Sequence, residues 1–223
     1  MVIDTHTHVV AADEVAYPLN PAGLPGDWYR SAPCSAEQLL GQMDAADVAG
    51  AVLVQGVGAY SYDNRYAADS AAACPARFAS ACCVDVEGED PLAALDYWLC
   101  ERGMQGVRLF ALAREGPSWL ADARTFPLWE RARSLGASVI VTIFYSQLPE
   151  LDVVLSRFPE LPVCLDHCAF PPLAGPPWQA AELLLERARH ANLYLKVSTH
   201  VLDAAGEKGG DPADFVGLLA ERF

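Results

Sequence analysis

Two of the five histidines in this 223-residue sequence, His6 and His8, lie two residues apart in Met1-Val-Ile-Asp-Thr-His-Thr-His-Val-Val10. The stretch is rich in β-branched residues and lacks Gly and Pro, so it reads as a β-strand. Side chains alternate along a strand, which puts Asp4, His6 and His8 on one face. Two imidazoles presented side by side can supply the first two nitrogen ligands of a divalent metal, or polarise a substrate carbonyl as a pair. Further candidates fall later in the chain. Arg108 lies in Gln105-Gly-Val-Arg-Leu-Phe110, and Arg114 follows it in a loop. Asp166 and His167 close the apolar run Pro162–Cys168, and Lys196, Ser198 and His200 alternate through the run that begins at Asn192. Histidines, an arginine and a lysine around one pocket suit an anionic or carbonyl-bearing substrate. Blander readings stand beside these. Asp166 could cap a loop, Lys196 could sit in a structural ion pair, and Arg108 could belong to a buried salt bridge. His190 and His200 belong to no motif and read as surface residues. Cys164 and Cys168 are four apart, but their strand-like context argues against a zinc knuckle.

The elements that must position these residues alternate. A long irregular segment, Ala11 to Pro33, holds Pro18, Pro21, Pro25, Gly26 and the aromatics Tyr17, Trp28 and Tyr29. A loop this long in a compact domain reads as a binding loop, here a pocket wall with Tyr17 as a substrate contact. Ser35 then reads as an N-cap for a helix over 36–48. Strands are predicted to start near residues 2, 50, 78, 105, 138, 162 and 192, with helices between them over 64–74, 92–102, 127–135, 149–158 and 178–190, and a last helix over 211–223. The seventh strand is expected to run from Asn192 to Thr199. Regular β/α alternation predicts a parallel sheet with right-handed crossovers. The spacing suggests an α/β fold of the (β/α)₈ TIM-barrel type, one domain over residues 1–223. An eighth strand would fall just beyond Phe223, so the barrel is expected to be truncated before strand eight, with its last strand and helix missing. An open barrel has two unpaired edges, which favours a homo-oligomer or aggregation.

Lys and Arg total 15 against 29 Asp and Glu, a net charge of −14. That field argues against nucleic acid and anionic membranes as partners. A small-molecule substrate, anionic or sugar-derived, is expected instead, held by a local arginine or lysine. No signal peptide or membrane span is evident. The seven cysteines lack regular spacing, and several sit in apolar runs, which fits reduced thiols in the cytoplasm.

Four motifs appear in order: Ile-Asp-Thr-His-Thr-His at 3–8, Gly-Val-Arg-Leu at 106–109, Phe-Pro-Glu-Leu-Pro-Val-Cys-Leu-Asp-His at 158–167, and Leu-Lys-Val-Ser at 195–198. Together they resemble the amidohydrolase superfamily, in its amidohydrolase-related (type 2) branch. Within that branch the lactonase group, with 2-pyrone-4,6-dicarboxylate and sugar lactonases, is most similar. The resemblance implies a hydrolase of small cyclic esters, with His6, His8 and His167 as catalytic residues and Arg108 holding a substrate carboxylate. Tyr17, Arg114 and Lys196 complete the expected substrate contacts. A divalent metal such as Zn²⁺ on His6 and His8 is one implied cofactor; metal-free catalysis is the other reading. Two departures stand out. The metal-dependent pattern has a histidine ending strand five, whereas this sequence reads Ile140-Val-Thr-Ile-Phe-Tyr145. The catalytic aspartate of the family lies on strand eight, in a Gly-Ser-Asp-Trp-Pro-like motif that residues 1–223 do not contain. A metal-dependent decarboxylase of the same branch and a catalytically inactive truncated product are the alternatives.

Overall fold

The structure, a computed structural model, describes residues 1–24, 26–113, 117–207 and 209–223. The chain forms two compact units, Met1–Arg108 and Leu109–Phe223. In the first, β1 (Val2–Thr7), β2 (Val48–Val54), β3 (Phe78–Cys83) and β4 (Gly106–Phe110, which runs on into the second) pair successively in parallel. Between them lie α1 (Trp28–Ser31), α2 (Ala36–Ala45), α3 (Val57–Tyr60), α4 (Arg65–Ala73) and α5 (Pro91–Asp96). In the second, Ala111 N–H, just past β4, donates to Thr142 O at 2.9 Å. From there α6 (Phe126–Ser134), β5 (Ser138–Thr142), α7 (Leu148–Arg157), β6 (Val163–Leu165), α8 (Glu182–Leu185), β7 (Leu193–Leu195), α9 (Thr199–Glu207) and α10 (Pro212–Arg222) follow. β5 pairs with β6 and β6 with β7, again in parallel. Strand order follows sequence order throughout, the topology of a (β/α)₈-type barrel through its seventh unit.

Burial explains which strands the sequence announces most clearly. β3, β4 and β5 are buried almost throughout, as strands of parallel sheets covered by helices are. β1, at the end of the sheet, is exposed from Val2 to Thr5. Leu53, Cys82, Leu95 and Val107 fill the core of the first unit; Leu109, Trp129, Val139, Leu151, Leu165 and Phe215 fill that of the second. Among the described residues no helix is long and apolar enough to cross a membrane.

Several expected boundaries shift, each for a local reason. Ser35 caps α2 as expected, and Gln38 returns the bond to complete a capping box. The helix expected over 178–190 is broken into 3₁₀ turns around α8. The Tyr145 hydroxyl enters its backbone ladder, donating to Ala180 O at 2.8 Å and accepting from Leu183 N–H at 2.9 Å. His190, read as a surface residue, is instead half-buried and bound at 3.0 Å to Asp152 of α7, which also receives Arg187 and Arg189. β7 stops at Leu195 rather than Thr199, because the Ser198 carbonyl accepts Val201 N–H at 2.9 Å and starts the unforeseen α9.

Parallel strands end without hairpins, so backbone groups at their C-terminal ends need other partners. Buried side-chain amides supply them. Asn64, fully buried, donates to Cys83 O at 3.0 Å and accepts Cys83 N–H at 2.6 Å. Gln147 donates to Ala111 O, just past β4, while Gln55, just past β2, ties the following loop by donating to Ser61 O and Asp63 O. Replacing Asn64 with Ala removes two buried hydrogen bonds, one to each backbone group of Cys83. The expected loss is about 2–3 kcal/mol, read as a lower urea midpoint at unchanged slope.

All seven cysteines are free thiols. Burial pushes the Cys168 thiol up to about 12 and raises those of Cys82 and Cys164 as well. A raised pKa keeps the thiol protonated and unreactive at about pH 8. Exposed Cys100 is therefore expected to react first with a thiol-specific reagent, with Cys82 and Cys168 silent until denaturant is added; mass mapping of the labelled sites checks this.

Candidate active site

The first unit carries the histidine pair. β1 ends at Thr7, so His6 is in the strand and His8 just past it, and of the expected face of Asp4, His6 and His8 only the two histidines meet. The two rings meet edge to face, centroids 4.9 Å apart, with Nε2 to Nε2 at 3.3 Å. His8 Nδ1 lies 2.8 Å from Val54 O, at the end of β2. A carbonyl only accepts, so Nδ1 carries the proton and donates it. In the neutral ring the His8 Nε2 lone pair is therefore directed away from the backbone, toward the side where His6 Nε2 lies. Nitrogens 3.3 Å apart fit a shared cation. Asp4 does not join them; its carboxylate turns back to accept His6 N–H at 3.0 Å and is exposed.

Trp28, at the start of α1, stacks on His8 with ring centroids 5.2 Å apart and planes inclined at 27°. Tyr17, Leu19 and Trp28 pack on Val10, Tyr29, Ala59 and Tyr60, so much of the segment expected as a pocket wall does pack. It borders a cavity of about 650 Å³ lined in part by Glu14, Leu19, Tyr29 and Arg30. Tyr17 also has a polar partner in the first unit. Its hydroxyl donates to Asp69 of α4 at 2.8 Å, and that bond to a carboxylate raises its pKa. Arg108 is buried in the middle of β4, with Nη1 3.4 Å from Gln55 O. Arg114 lies outside the described residues.

The second unit carries Asp166, His167 and Lys196. Asp166 is fully buried just past β6; its Oδ2 accepts the Thr142 hydroxyl at 2.7 Å, and Lys196 Nζ is 3.8 Å from Oδ1. The structural ion pair anticipated for Lys196 is thus present. β6 ends at Leu165, three residues earlier than expected, because the chain then turns left-handed. His167, Cys168, Ala169 and Phe170 all have φ between 52° and 60°. Four successive non-glycine residues in that region cost about 1–2 kcal/mol each and persist only where their surroundings enforce them. The turn sets the His167 ring 2.8 Å from Ser198 Oγ through Nδ1, beside the rings of Phe170 and His200. His200, expected on the surface, is exposed but in ring contact with His167 at 5.7 Å. Lys196, Ser198 and His200 do not share a strand face, since Lys196 lies past β7 and His200 is in α9.

Sequence reasoning missed Trp28 as a partner of His8, Thr142 as a partner of Asp166, and the left-handed turn. Trp28 was visible only as one loop aromatic among three, and no glycine marks the turn.

The profile of the amidohydrolase family matches residues 3–221. This chain belongs to the type 2 amidohydrolase family. The fold is shared with solved structures. A Pseudomonas putida protein provisionally assigned as a 2-pyrone-4,6-dicarboxylic acid hydrolase is 25% identical, with a TM-score of 0.69 over 99% of this chain and 75% of its own. A Burkholderia multivorans amidohydrolase with bound zinc gives a TM-score of 0.71 at 19% identity, over 98% of this chain and 76% of its own. A Rhizobium 2,6-dihydroxybenzoate decarboxylase gives 0.61 at 15%, over 93% and 84%. No curated protein matches the sequence.

Thr142→Val keeps the side chain's shape but removes the hydroxyl donor from the buried Asp166 carboxylate. The expected cost is about 1–3 kcal/mol, measured by denaturant unfolding; an unchanged midpoint would show that the hydroxyl does not hold Asp166.

Proposed function

We propose that this amidohydrolase opens a small lactone that carries a carboxylate, with His6, His8 and His167 as its catalytic histidines. The observation that carries the reading is the His6–His8 pair. Its two Nε2 atoms converge at 3.3 Å, with His8 fixed through Nδ1 on Val54 O. The 25% identity to a protein provisionally assigned as a 2-pyrone-4,6-dicarboxylic acid hydrolase supports the substrate class, a cyclic ester bearing carboxylates.

Ester hydrolysis needs a water made nucleophilic and an electrophile for the charge that develops on the carbonyl oxygen. His6 and His8 are the residues that would hold a divalent ion, Zn²⁺ by their donor type; bound there, such an ion acts as a Lewis acid toward a carbonyl and lowers the pKa of bound water. His8 contributes a ring whose tautomer the backbone sets. His167 Nδ1 lies 2.8 Å from Ser198 Oγ, a contact that orients the ring presented to substrate. Arg108, buried in β4, is assigned the substrate carboxylate, because a guanidinium offers paired donors to it. Lys196, beside Asp166, is a further electrostatic contact for an anion. The cytoplasm and a small anionic or sugar-derived substrate complete the reading.

The test is ring opening of carboxylated lactones, followed by pH-stat, with and without added Zn²⁺. His167→Ala is expected to lower kcat/KM by about 10²–10³. Ring opening unaffected by that change would remove His167 from the chemistry. Release of carbon dioxide from hydroxybenzoates without lactone opening would replace the reading with a decarboxylase.

A further inference from the structure

The cavity of about 650 Å³ in the first unit is lined by residues of the 11–33 segment and of the first turn of α2, and no described histidine lines it. A space of that size accommodates a small metabolite. Backbone hydrogen bonds tie its walls. Val10 N–H donates to Cys34 O and Asn20 N–H to Ala59 O, each at 2.8 Å, and Ala11 N–H donates to the Tyr60 hydroxyl at 2.8 Å. Val10, Leu19 and Pro33 contribute apolar lining. Of the polar lining, Ser35 and Gln38 are committed to the capping box of α2. Glu14, Tyr29 and Arg30 are not so committed. Glu14 and Arg30 are exposed, and among the described residues neither has an ion-pair partner, the other included. The Arg30 guanidinium lies 5.4 Å from the centroid of the Tyr29 ring. Tyr29 is only 9% exposed, yet its hydroxyl has no hydrogen-bond partner among the described residues. A buried tyrosine ordinarily finds one.

We propose that this cavity binds an α-amino acid with an apolar side chain, at a site separate from the histidine pair. A guanidinium offers only donors, in a fork that matches a carboxylate, so Arg30 suits the carboxylate of the ligand. An ionised Glu14 offers only acceptors and suits an ammonium group. The Tyr29 hydroxyl both donates and accepts, and can serve either end. Val10, Leu19 and Pro33 suit an aliphatic or aromatic side chain. Charge selects among the simpler alternatives. A bare carboxylate would meet Glu14 and the field of a chain whose net charge is −14, and a bare cation would meet Arg30. A zwitterion carries no net charge and gives each of the two uncommitted charges an opposite partner.

The experiment is a ligand-observed NMR titration with L-valine, L-leucine and L-phenylalanine. Isovalerate, isocaproate and hydrocinnamate, the same three skeletons without the ammonium, are titrated beside them. The proteins are the wild type, Arg30→Gln, Glu14→Gln, Tyr29→Phe and His8→Ala. Glu14 and Arg30 are exposed, so both Gln variants keep the core intact. Saturable binding of at least one amino acid is expected, weakened about three- to tenfold by Arg30→Gln and by Glu14→Gln. Tyr29→Phe is expected to weaken it less, and His8→Ala to leave it unchanged. The deaminated analogue is expected to bind more weakly than its amino acid and to lose nothing further in Glu14→Gln. Absence of saturable binding of all three amino acids to the wild type at millimolar concentration overturns the proposal. A loss confined to Arg30→Gln, or an equal affinity for the deaminated analogue, overturns it in favour of a plain anion site. A loss confined to Glu14→Gln overturns it in favour of a cation site. A loss in His8→Ala with none in Arg30→Gln or Glu14→Gln puts the ligand at the histidine pair and overturns it as well.

Discussion

A parallel strand that ends without a hairpin leaves its last carbonyl and amide groups without a ladder partner, and in a buried sheet those groups must be satisfied by side chains. Much of what is distinctive here follows from that need. Val54 O at the end of β2 takes the His8 ring, and Val52 O takes the Thr7 hydroxyl. Cys83 at the end of β3 takes Asn64 at both its N–H and its carbonyl, and Ala111 after β4 takes Gln147. The same backbone groups that need partners therefore position the polar side chains that can do chemistry. In His8 the two roles coincide, because the bond that satisfies a carbonyl also selects the tautomer.

The second unit meets the same end-of-strand problem differently. After β6 the chain enters a left-handed turn of four residues, which is unfavourable for side chains with a Cβ. What holds it is a set of buried contacts around it. Asp166 is gripped by Thr142 and neighbours Lys196, Cys168 and Ala169 are fully buried, and His167 bonds Ser198. Local strain concentrated next to a candidate catalytic histidine is the pattern expected where geometry is selected over stability.

Structural likeness extends to hydrolases and to a decarboxylase, which is what one fold carrying several chemistries would give. Family membership thus bounds the reaction class, and the side chains at the strand ends must narrow it. The strongest such constraint is in the first unit, where two imidazole nitrogens are set at a distance suited to a common cation and a tryptophan is stacked on one of them.

The sequence by itself determined the β/α alternation, all seven strands and the pairing of His6 with His8. Those follow from local causes: apolar runs long enough for buried strands, caps such as Ser35, and the two-residue period that puts alternate side chains on one face. The four motifs at 3–8, 106–109, 158–167 and 195–198 were likewise enough to indicate the family. Tertiary structure alone decided the rest. The break in the 178–190 helix is made by a tyrosine hydroxyl from residue 145, and the pairing of His190 with Asp152 spans 38 residues. Trp28 reaches His8 across 20 residues of irregular chain, and nothing in composition distinguishes it from Tyr17, whose hydroxyl went to Asp69 instead. The left-handed turn has no glycine to announce it, because packing rather than intrinsic preference holds it. Local periodicity reports what neighbouring residues impose on one another; these contacts are set by side chains that only folding brings within reach.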